Sequence, residues 1–180
     1  MTRLELYQRG LLDLVKRRGA APADPYLRCV AGSRELAVLQ EIAVWWREFQ
    51  IQAQCHFTSL LLMRLGCFHE IVTSYFNSNR TSPFIEELSL HFLKSLQRHD
   101  ILLISTVAGL DLAFLEVRAG CTQCFEIVWD RHPDLLLHAL DTGRDLPGAE
   151  HGFVYRMTIA GDIPGTVSCT REEDFGTARL

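Results

Sequence analysis

The chain has 180 residues, 48% of them hydrophobic and 22% charged, which suits one domain, or two small ones, around a real core and rules out a disordered tail. Eighteen basic against 22 acidic side chains leave a formal charge of −4. No basic excess is present to neutralise a phosphate backbone or an anionic bilayer, so neither nucleic acid nor a membrane is expected as a partner.

The opening Met1-Thr-Arg-Leu-Glu-Leu does not read as a secretory signal, and a cytoplasmic chain is expected. From Arg3 to Arg17, Leu4, Tyr7, Leu11, Leu14 and Val15 recur at helical spacing, and Lys16, Arg17 and Arg18 precede Gly19 as a cationic last turn before a glycine stop. Ala20 to Pro25 reads as a turn. Ser33 can cap a second helix from Arg34 to about Gln50, with Leu36, Leu39, Ile42, Ala43, Trp46 and Phe49 on its inward side. Cys55 to Phe76 is apolar nearly all round with Gly66 in its middle, which suggests a central helix or a broken pair. Residues 77–82 form a loop, and Ser82-Pro83 opens a helix to about Arg98 with Glu86 and Glu87 in its first turn. Asp100 can cap the next, in which Leu103, Val107, Leu110, Phe114 and Val117 repeat at intervals of three and four. Its apolar run, Ile101 to Leu115, is broken by Ser105, Thr106 and Asp111 and falls short of the roughly 20 residues of a membrane span, so a buried helix is expected.

After Gly120 the pattern changes. Cys124 to Trp129 reads as a strand, His132-Pro133 opens a short helix with Leu135, Leu136 and Leu140 inward, and Gly143 stops it. Gly152 to Ala160 and Thr166 to Arg171 read as two strands joined by the turn-rich segment 161–165. The expected fold class is α+β: a helical domain over residues 1–120, then a small antiparallel sheet with one short helix over residues 121–180.

Chemistry is sparse. The six cysteines (Cys29, Cys55, Cys67, Cys121, Cys124, Cys169) are expected to be mostly reduced in a chain of this kind. Cys121-x-x-Cys124 has the spacing of a redox pair or half a zinc site, but no second half exists and it precedes a strand where a redox pair would open a helix. Cys55, His56, Cys67 and His69 fall on an apolar helical region where cysteine acts as a small hydrophobe. No zinc-protease, nucleophile-elbow or phosphate-loop motif occurs. Of the adjacent Trp45 and Trp46, about 100° apart on a helix, one is expected at the rim, either half-buried or as a partner-facing anchor.

Trp45-Trp46-Arg-Glu-Phe-Gln-Ile-Gln-Ala-Gln-Cys-His-Phe57 with the aromatic-rich helix after it, and the closing Leu146-Pro-Gly-Ala-Glu-His-Gly-Phe153 and Ile163-Pro-Gly165, resemble the MbnC family, the partner proteins of methanobactin biosynthesis, over about residues 34 to 170. The resemblance implies a non-catalytic subunit that forms a heterodimer with an MbnB-like iron enzyme. Together they oxidise cysteines of a small ribosomally made precursor, MbnA-like, to an oxazolone and a thioamide on the way to a copper chelator. It further implies that the iron sits in the partner, with no cofactor in this chain, and that this chain helps hold the precursor's leader, which makes residues 121–180 the expected peptide-binding domain. A small sheet has edges to which an extended peptide can add. The candidate edges are Phe125, Ile127 and Trp129, or Thr166, Ser168 and Thr170, with Tyr155 between them; Trp45 and Trp46 are the candidate partner contacts. The competing classes are a stand-alone thiol redox protein using Cys121 and Cys124, and a helical DNA-binding regulator.

Overall fold

The computed structural model describes residues 2–16, 22–79, 84–161 and 167–173. In chain order the elements are α1 (Arg3–Val15), α2 (Pro25–Ala31), α3 (Arg34–Gln54), α4 (His56–Arg64), α5 (Phe68–Ser78), α6 (Ile85–Leu96), α7 (Leu102–Arg118), β1 (Phe125–Trp129), α8 (Pro133–Thr142), β2 (Phe153–Ile159) and β3 (Val167–Glu173). The fold is α+β, with a three-stranded antiparallel sheet in its C-terminal part. The helix-to-strand change falls after Gly120, as the sequence suggests, but packing divides the chain at other points: Met1–Gln50 with His69–Ser82, and Ile51–Phe68 with Pro83–Leu180.

In the first unit, α1 opens on a reciprocal cap: the Glu5 N–H donates to Thr2 Oγ1 (3.2 Å) and the Thr2 N–H to Glu5 Oε2 (2.7 Å). Of its expected cationic ending, Arg17, Arg18 and Gly19 lie outside the described residues. Ala20 and Ala21 of the expected turn lie outside the described residues; after it comes α2, a helix the hydropathy pattern does not announce, which Asp24 caps by accepting the N–H groups of Tyr26 (2.9 Å) and Leu27 (3.2 Å), with Pro25 at the first helical position. Leu27 lies directly against Gly10 of α1, where a Cβ would collide with it. Ser33 Oγ caps α3 through the Leu36 N–H (3.1 Å), as expected, and the helix runs four residues past the expected end. Gln40 Nε2 donates to the Leu14 carbonyl (2.8 Å), and the Arg47 guanidinium lies 5.6 Å from the Phe76 ring centre, which ties α3 to α1 and α5.

The second unit holds most of the core. Leu61 and Leu62 of α4, Leu88, Phe92 and Leu93 of α6, Ile104, Val107 and Leu110 of α7, and Leu136 of α8 are fully buried. Each such side chain contributes roughly 1.5–3 kcal/mol by leaving water. The apolar run from Cys55 to Phe76 is resolved as a broken pair: Gly66 sits at φ 72°, and the Cys67 and Gly66 N–H groups donate to the Leu62 and Met63 carbonyls, closing α4. Ser82 and Pro83 lie outside the described residues; α6 follows with Glu86 and Glu87 in its first turn. Asp100 does not cap α7. Ile101 holds the cap position without a side-chain bond to the helix, and its own N–H donates to His99 Nδ1 (3.1 Å). In α8, Leu136 and Leu140 face inward but Leu135 is 57% exposed, because it stands about 100° round the helix from Leu136 and α8 is covered on one side only.

The sheet order is β1-β2-β3, in register Ile127↔Met157↔Cys169. Ile127, Trp129, Tyr155, Met157 and Ile159 therefore share one face, which is buried, while Glu126, Val128, Arg156, Ser168, Thr170 and Glu172 share the other. On that outer face Arg156 pairs with Glu126 on one neighbouring strand and with Glu172 on the other.

Candidate functional site

Strand β1 pairs with β2 on one side, and among the described residues no strand pairs with its other side. Beside that edge lies an open cleft of about 450 Å³ between residues 125–128, helix α7 and the end of α6. Its α7 wall presents Ser105, Gly109 and Ala113, four residues apart and so on one helix face, which keeps this wall low. Lys94 Nζ and Glu116 Oε1, 3.2 Å apart, supply a charged pair among its lining side chains. Main-chain groups on one side and small side chains on the other make a slot that suits extended backbone.

Phe125 and Ile127 line this cleft, together with Glu126 and Val128. Trp129 does not: it is 1% exposed in the core, and its indole N–H meets no hydrogen-bond acceptor among the described residues. Tyr155 stands on the central strand, buried, its hydroxyl donating to Glu150 Oε2 (2.8 Å). On β3, the other edge, Ser168 and Thr170 are exposed on the outer face and Thr166 lies outside the described residues. Phe125, Ile127 and Trp129 thus point to one face of the sheet and Ser168 and Thr170 to the other, and of the two edges β1 is the one with the cleft beside it. The α6 and α7 contributions were missed in the sequence; the one signal for them was the 105, 109, 113 run of small residues inside an apolar helix.

Trp45 and Trp46 are 61% and 49% exposed and stack with Phe49 at ring-centre distances of 6.0 and 5.6 Å. With Val38, Leu39 and Ile42, also exposed, they form an apolar stripe along α3. This corrects the expected inward face: Leu36 is buried, but Leu39, Ile42, Trp46 and Phe49 are not. The helix is apolar on two sides, and the covered one carries Leu36 and Ile51.

All six cysteines are free thiols. Cys121, half-buried, and Cys124, exposed, occupy an irregular segment ahead of β1 and do not open a helix. Cys55 is fully buried, and burial pushes its thiol far up, away from the nucleophilic form. His56 meets Asp141 at 2.9 Å and His69 meets Glu48 at 2.6 Å, both at the surface. Among the described residues no three His, Cys, Asp or Glu side chains gather where a metal ion would sit, and no helix is long and apolar enough to cross a membrane. No family model, no curated protein and no solved structure matches this chain.

Proposed function

We propose that this protein is the peptide-holding subunit of a cytoplasmic, iron-dependent, peptide-modifying complex of the methanobactin type. The single observation that carries the reading is the unpaired edge of β1 with its adjoining cleft. An extended leader segment adds there as a fourth strand, its main chain bonding to β1, which gives affinity tolerant of sequence, and its alternate side chains entering the cleft or facing solvent. The exposed stripe of Trp45, Trp46 and Phe49 supports a protein partner, since clustered aromatic side chains are the usual anchors of interfaces. In this reading the iron and the oxidation of the precursor's cysteines belong to the MbnB-like partner, and this chain binds and orients.

The test is amide hydrogen exchange of the complex with an MbnA-like leader peptide and an MbnB-like enzyme. Alternate amides within residues 125–129 should gain protection when the leader is added, and residues 42–49 when the enzyme is added. A leader that binds without protecting any amide of β1 overturns the strand reading, and failure of the enzyme to associate at all overturns the subunit reading.

A further inference from the structure

We propose that Gly109 selects which segments β1 accepts: the space left by its missing side chain takes one large apolar side chain of the added strand. This role rests on the reading of β1 as a peptide edge. Gly109 lies in the middle of the 17-residue α7, where glycine is unfavourable relative to alanine. It is not among the glycines with positive φ, and a Cβ built on it meets nothing within 4 Å. Neither backbone conformation nor packing among the described residues calls for glycine here. It does line the cleft.

A strand added to β1 lies about 4.8 Å away, and every second side chain points to the face shared by Phe125 and Ile127, toward α7. Ser105 and Ala113 stand one turn to either side of Gly109, about 6 Å along the helix each way. The opening at Gly109 is therefore about one side chain wide. Phe125, Ile127, Leu112 and Ala113 give the lining its apolar part, Ser105 and Thr106 stand beside them, and the Lys94–Glu116 pair makes another part of the cleft charged. The ligand class that fits is an extended peptide with one leucine, phenylalanine or tryptophan in register with Gly109 and smaller or polar residues two places away.

The experiment pans a displayed library of short random peptides on the full-length protein, then measures enriched peptides by fluorescence anisotropy against the native protein, Gly109→Leu and Gly109→Ala. The native protein should enrich peptides with one large apolar residue at a fixed place, whose replacement by alanine weakens binding about tenfold. Gly109→Leu should bind the same peptide about tenfold more weakly and discriminate less against its alanine version. Gly109→Ala, the milder change should leucine disturb the fold, should melt higher than the native protein and shift preference from tryptophan toward leucine. Equal binding by all three proteins, with β1 amides protected in each, overturns the role of Gly109 and leaves the edge reading standing. Binding without protection of β1, or a library that enriches nothing, overturns both.

Discussion

Asp111 of α7 does for α4 what no residue of its own segment does. Cys55, at the cap position, offers no side-chain bond, and the Thr58 N–H instead donates to Asp111 Oδ2 at 2.7 Å across 53 residues of sequence. Burial pushes this carboxyl above the usual aspartate range, against the N–H groups of Thr58 and Phe57, which hold it down. A carboxyl raised in the folded state contributes most below its ordinary value and loses that contribution as pH rises through the folded value. Asp111→Asn keeps an acceptor for Thr58 without the titration. Urea unfolding at about pH 4 and about pH 8 should therefore show the native protein losing ground to the variant as pH rises. Gly161 gives a second residue-scale prediction. A Cβ there would strike the backbone of residues 121–123, which cannot swing aside like a side-chain tip. Gly161→Ala should cost about 2 kcal/mol in urea unfolding. Neither constraint was legible in the sequence, because each joins residues far apart in the chain. Ser33 and Gly143 were legible, since a cap and a left-handed stop act on the residues beside them.

At the scale of the element, α3 shows what periodicity determines and what it leaves open. The three-four spacing of apolar residues predicts the helix correctly, but a helix apolar on two sides gives no sign of which side its neighbours will cover. The spacing puts Leu39, Ile42, Trp46 and Phe49 inward, and they lie outward. An exposed apolar stripe of this kind should make the isolated chain self-associate. Replacing Trp45, Trp46 and Phe49 together by glutamine should thus change unfolding free energy by less than about 1 kcal/mol, while abolishing that self-association in light scattering. A loss of several kcal/mol would mean the stripe is covered. For the sheet, the strand positions and their antiparallel sense followed from β-branched runs and turn residues, whereas the order β1-β2-β3 did not. The cleft beside β1 did not, since it arises where α7 passes the edge, and no local pattern encodes that.

For the whole molecule, the buried apolar side chains are unevenly shared. Among the described residues only Leu27, Leu36 and Val72 of the buried apolar side chains belong to the first unit, and the second holds the rest. Local opening costs least where little apolar surface is buried. Native-state amide exchange should accordingly show α1 and α2 exchanging long before α6 and α7. Comparable protection in both would mean the chain opens as one cooperative body.

The interleaving of these units has a consequence for how the protein is made. Residues 51–68 belong with elements that begin only at residue 83, so α4 leaves the ribosome well before α7 and α8, the helices it packs against. Until then Leu61 and Leu62 are stranded in water, and the first unit itself awaits α5. Translation delivers N-terminal segments first at roughly 5–20 residues per second, so the exposed interval lasts seconds. Nascent chains arrested between α5 and α7 should crosslink to a ribosome-bound chaperone through α4, and release from it should begin with emergence of Arg118 and be complete once Thr142 has emerged.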